Sequence, residues 1–121
     1  MEGKTFDLRN RTYAYALRVI SFLEALPKDY IAQTIGKQLI RSATSIGANI
    51  AEARAASSKR DFIHFYTHSL KSANESKFWL GLLKDSGRVS SQSVGIVLNE
   101  AGELGNILAS SILTMKGKKG I

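Results

Sequence analysis

The sequence predicts an all-α protein, an antiparallel up-down-up-down four-helix bundle. Three observations predict it. Apolar and small residues recur at alternating steps of three and four along extended stretches, with no comparable run of period two. Breakers fall at Pro27, at Ser57-Ser58 and at Asp85-Ser-Gly87, leaving segments of helical length. The connections at those breakers are short, which favours antiparallel neighbours. With 121 residues and 44% hydrophobic content, the chain reads as one domain, residues 1–121, with a genuine core.

The first helix is expected over about 6–25, because Pro27 cannot continue it. The second is expected over about 30–56, with a seam of Leu39, Ala43, Ile46, Ile50 and Ala53. Beside that seam runs a small, polar one: Gln38, Ser42, Ser45, Asn49 and Glu52. Two readings of it stand open. Its hydroxyls bond their own i−4 carbonyls inside the bundle, or the seam meets another helix or subunit and sets register.

The third helix is expected over about 59–86. Ser58 caps it, and Asp61 three residues on stands where a capping box carries its acid. Phe62, Tyr66, Ser69, Ala73, Ser76, Leu80 and Leu83 form its seam. Gly87 fits the C′ position, and Ser90 caps the fourth helix, expected over about 91–116. Its seam is Val94, Val97, Ala101, Leu104, Leu108, Ile112 and Met115. Gly95, Gly102 and Gly105 weaken this helix unless another backbone approaches closely there. A basic tail, 116–121, closes the chain.

The residue inventory excludes several chemistries. Without cysteine there is no disulfide, thiolate nucleophile or zinc finger. No stretch reaches the roughly 18 apolar residues of a membrane span, and Met1–Phe6 lacks the apolar run of a signal peptide. A cytoplasmic, membrane-free location is therefore expected. His64 and His68 lie one turn apart, with Glu75 further along the same helix, but Phe65 stands where a metalloprotease motif needs glutamate. Asp61-Phe-Ile-His64 resembles half of a di-iron ligand element, whose second copy is missing. The serines sit in mid-helix without a glycine elbow. The expectation is no enzyme, no catalytic residue, no cofactor and no metal. Lys71 with Glu75, and Arg41 with Glu52, read as solvated or interhelical ion pairs. Trp79 stands in an apolar triplet with Phe78 and Leu80, one of which must point away from the seam, so an exposed aromatic is a candidate interface anchor.

Net charge is +7, unevenly distributed: +5 over residues 1–60, −1 over 61–115 and +3 over the tail. The up-down topology gathers Lys4, Arg9, Arg11, Arg54, Lys59, Arg60, Lys116, Lys118 and Lys119 at one end, against Glu2, Asp7, Glu52 and Asp61. Such a pole is the expected footprint of phosphate-backbone contact without base specificity.

Three stretches carry a resemblance: Gln38-Leu-Ile-Arg-Ser-Ala-Thr-Ser-Ile-Gly-Ala-Asn-Ile-Ala-Glu-Ala53, Ser58-Lys-Arg-Asp-Phe-Ile-His64 and Glu75-Ser-Lys-Phe-Trp-Leu80. Together they resemble the bacterial four-helix bundle family of ribosomal-RNA intervening-sequence proteins, related to the accessory protein of diversity-generating retroelements. The resemblance implies a homopentameric ring. It also implies a basic, nucleic-acid-binding relative that associates with a reverse transcriptase, and an uncharacterised function for most members. Gln38, Arg41, Ser42, Ser45, Ile46, Asn49, Glu52, Asp61, Phe62, Lys71, Glu75, Trp79 and Leu80 match its pattern. Ser72 departs from it where glutamate is expected, as do Phe65 and Tyr66. Gln38, Arg41, Ser42, Ser45, Asn49, Glu52, Lys71, Glu75 and Trp79 are then the candidate oligomer or packing positions. The function expected is a non-enzymatic oligomeric bundle that binds RNA or DNA electrostatically through its basic pole. The alternative is a protein–protein adaptor or scaffold with incidental charge.

Overall fold

The structure, a computed structural model, describes residues 3–117, with side chains from Leu8 onward. It is all-α: four helices, with no strand among the described residues. They are α1 (Gly3–Glu24), α2 (Tyr30–Ala53), α3 (Lys59–Asp85) and α4 (Ser91–Met115). The basic tail beyond Gly117, with Lys118 and Lys119, lies outside the described residues, as does the side chain of Lys4.

Local chemistry accounts for each boundary. α1 stops at Glu24, ahead of Pro27, whose carbonyl accepts a 2.7 Å hydrogen bond from the Gln33 side chain. Asp29 caps α2, its carboxylate accepting the Ala32 N–H. α2 ends at Ala53, and the Arg54, Ala55 and Ala56 N–H groups turn back onto the carbonyls three residues earlier. Ser58 caps α3 by accepting the Asp61 N–H at 3.0 Å. Asp61 reciprocates one residue further out than in a standard capping box, accepting the Ser57 N–H at 3.2 Å. Gly87, at φ +77°, ends α3 in a Schellman motif: its N–H reaches the Lys84 carbonyl, and that of Arg88 reaches Leu83. Ser90 caps α4.

The core is the union of the helical seams. Leu39, Ala43, Ile46, Ile50 and Ala53 are buried on α2, Tyr66, Ala73, Leu80 and Leu83 on α3, and Val94, Val97, Ala101, Leu104, Leu108 and Ile112 on α4. Phe62 and Met115 pack half-buried against them. α1 contributes Leu8, Tyr15 and Val19 with the buried Thr12. Two polar contacts cross the core: the Tyr15 hydroxyl meets Ser76, and Ser69 Oγ donates to the Ile46 carbonyl at 2.8 Å. No buried side-chain polar atom is left without a partner among the described residues.

Glycine sets how closely α1 and α2 approach. A Cβ on Gly47 would sit 3.1 Å from Thr12 Oγ1, and one on Gly36 would sit 3.0 Å from a Leu26 methyl. On α4 the expectation of a close approach fails within this chain. Nothing lies within 4 Å of a Cβ at Gly95 or Gly102, and Gly105 makes ordinary contacts with Asn74 and Leu70.

Candidate nucleic-acid interface

Arg9, Arg54, Lys59, Arg60 and Lys116 are exposed, and none forms an ion pair among the described residues. Arg9 borders a groove of about 510 Å³ between α1 and α2 that is also lined by Ala48 and Ala51 of the last turns of α2. Phe62, at the start of α3, shares a depression with Thr114 and Met115, at the end of α4. The first turn of α3, its N-terminus carrying Lys59 and Arg60, thus lies beside the end of α4, which leads into Lys116.

Arg11 departs from the expected group. Its guanidinium forks onto Glu100 with Nη2 at 2.8 Å and Nε at 3.1 Å, and Nη2 also reaches Glu103 at 3.1 Å. The hydrogen bonds that Arg11 donates to Glu100 lead the effects that hold the guanidinium fully protonated, against the opposing effect of desolvation. Two carboxylates neutralise this cation within the chain, so it is not a free phosphate ligand. Pairing across 89 residues of sequence left no local signal for it.

The small, polar seam of α2 divides. Ser42 is buried and donates to the Leu39 carbonyl at 3.2 Å, and the Asn49 amide donates to the Ser45 carbonyl at 2.8 Å. Gln38, Ser45 and Asn49 are half-buried, while Arg41 and Glu52 are exposed. The described hydrogen bonds of the seam stay within α2, with the Ser42 hydroxyl on an i−3 rather than an i−4 carbonyl. Lys71 and Glu75 are exposed without an ion pair among the described residues, and Glu75 accepts the Trp79 indole N–H at 3.3 Å. Trp79 is half-buried against the core, so Phe78, 58% exposed, is the member of the triplet that points away.

The sequence reading missed a second surface. Tyr13, Leu17 and Ile20 stand 70%, 53% and 40% exposed along one face of α1. Their spacing of four and three was the available signal. Among the described residues no cluster of three or more His, Asp or Glu side chains could hold a metal, and no helix is long and apolar enough to cross a membrane.

Fold and surface together define a small, basic four-helix protein with free cations around its helix ends and an uncovered apolar stripe. Within that class the particular family follows from comparison. The chain belongs to the 23S rRNA-intervening sequence protein family, which matches residues 4–110. It is similar to a crystal structure from Bacteroides thetaiotaomicron described as a protein with unknown function from the S23 ribosomal protein family. That similarity has 33% identity, a TM-score of 0.84, and covers 90% of this chain and 97% of that one. No curated protein matches the chain.

Proposed function

We propose that this protein is a non-enzymatic, cytoplasmic, homo-oligomeric bundle that binds RNA or DNA electrostatically through one basic pole. The observation that carries the proposal is the group of exposed cations Arg9, Arg54, Lys59, Arg60 and Lys116, none ion-paired among the described residues. An antiparallel up-down-up-down course brings them to one end. Supporting that course, Thr12 lies by Gly47 and Leu23 by Gly36, so positions rise along α1 as they fall along α2. Lys4, Lys118 and Lys119, which the sequence reading assigns to the same pole, are not among the described side chains. Free cations release counterions from phosphates, and this favours binding without base readout.

The proposed assembly is a homopentameric ring. The uncovered Tyr13, Leu17 and Ile20 stripe supports assembly, because scattered exposed apolar residues are ordinary but an aligned row marks contact. A ring multiplies the pole, and avidity strengthens a weak single site. Native mass measurement tests it, and a monomer at micromolar concentration contradicts it. A reverse transcriptase is the protein partner that the family resemblance brings into the proposal.

Binding to RNA and DNA across a salt titration tests the pole. Affinity is expected to fall steeply with salt, and the double substitution Lys59→Glu, Arg60→Glu is expected to weaken binding uniformly across sequences and flatten the slope by about two. Absence of binding at low salt, or a slope near zero, overturns the nucleic-acid reading. It leaves the adaptor reading, which the α1 stripe also favours.

A further inference from the structure

His64 and His68 sit one turn apart on the exposed face of α3. Their Nε2 atoms face each other at 3.1 Å. The rings are nearly perpendicular, at 83°, with centroids 4.5 Å apart. Imidazole nitrogens bind divalent transition ions at about 2.0–2.1 Å. Two nitrogens 3.1 Å apart therefore subtend about 100° at one shared ion, between the octahedral and tetrahedral angles. The ring positions agree. Two imidazoles converging on one ion at that bite would hold their centroids about 4.8 Å apart. Two rings meeting head-on across a linear hydrogen bond would hold them roughly 5.4 Å apart. The observed 4.5 Å is shorter than either, so the two rings lean toward a common side rather than meeting head-on.

We propose that His64 and His68 form a two-point chelate for a divalent transition ion of the imidazole-preferring class, Cu2+, Ni2+ or Zn2+. A lone pair on each Nε2 enters the coordination sphere, and the ring that gives up the proton held between the two nitrogens takes one from solvent at Nδ1, so both imidazoles stay neutral. Among the described hydrogen bonds, none to a protein group engages Nδ1 of either ring, so each can carry its proton there in the tautomer that metal ligation needs. The helix holds the two backbone positions one turn apart before an ion arrives. The sequence expectation was no metal at all, reached because closed or catalytic centres need three or more protein ligands. A chelate on a single turn needs two and leaves its other positions to water or a partner. Asp61 does not complete it: its carboxylate is held by Ser57 in the cap of α3. Arg60 and Asp61 border the same surface depression as His64 and offset each other in charge. The chelate does not depend on the nucleic-acid reading.

Calorimetric titration of the untagged, full-length protein with Cu2+, Ni2+, Zn2+ and Mg2+ is the test. One ion per chain is expected, with Cu2+ tightest by the Irving–Williams order and Mg2+ silent. His64→Gln and His68→Gln are each expected to weaken binding by about tenfold or more, because each removes the intramolecular second ligand. Both side chains are exposed, so helix content by circular dichroism should stay unchanged. A wild type silent to all three transition ions overturns the proposal. So does a double variant that binds as tightly as the wild type.

Discussion

Tyr15 is the largest of the fully buried side chains, its hydroxyl meets Ser76, and the charge of Glu100 acts on it. Burial pushes its hydroxyl up to about 12; the hydrogen bond to Ser76 opposes the shift and Glu100 adds to it. A folded value above the unfolded one means the neutral phenol favours folding. That contribution is complete below about pH 10 and is lost as the pH rises toward 12. Burial raises Tyr66 in the same direction. Denaturant melts should therefore lose stability between pH 10 and 12, on the order of 2 kcal/mol from Tyr15. Tyr15→Phe should remove most of that loss while lowering neutral-pH stability by about 1 kcal/mol through the missing hydrogen bond. The difference between the two pH profiles isolates this group. Arg11 acts on the same neighbourhood from the rim. Its fork onto Glu100 is part-buried, so Arg11→Ala should lower stability by about 1 kcal/mol, less at high salt. It should leave nucleic-acid affinity nearly unchanged, as salt-titrated binding would reveal.

At the scale of the helix, two sets of glycines predict opposite outcomes. Gly47 lets α2 approach α1 at Thr12, which is buried and whose hydroxyl is tied to the Arg9 carbonyl at 3.1 Å. A methyl there sits 3.1 Å from the Thr12 hydroxyl, which that hydrogen bond holds in place, so Thr12 must give by a few tenths of an ångström. Gly47→Ala should destabilise by about 1–2 kcal/mol despite its better helix propensity. Gly95 and Gly102 face open space within the chain, so alanine at each should stabilise by up to about 1 kcal/mol. Urea melts of the three variants check the contrast. A loss of stability at Gly102→Ala would instead place a second copy against α4. Three caps were legible because they depend on neighbours in sequence: Ser58, Gly87 and Ser90 act within five residues of themselves, whereas the Asp29 cap of α2 was missed. Which glycine marks a close approach was not legible, since the partner helix is distant in sequence.

At the scale of the whole molecule, the surface divides into exposed cations near the helix ends and an apolar stripe along α1. Leu17→Asp places a charge in the middle of that stripe at a position already 53% exposed. It should lower the native mass to that of a smaller assembly without changing helix content, because no core contact is removed. Retention of the wild-type mass would move the contact to another face, such as the exposed Phe78 and Leu82 of α3.

The sequence by itself determined four helices, the caps of α3 and α4, and the core faces of α2, α3 and α4. Those follow from periodicity and from hydrogen bonds between near neighbours. Tertiary structure decided the rest. α1 carries two apolar stripes, Leu8, Tyr15 and Val19 against Tyr13, Leu17 and Ile20, and only packing chose the first for the core. Only packing brought Arg11 to Glu100 and left Lys59 and Arg60 free. A net charge of +7 is a property of composition, whereas a binding surface requires knowing which cations meet carboxylates from another helix. That depends on contacts across tens of residues, and no local pattern encodes them.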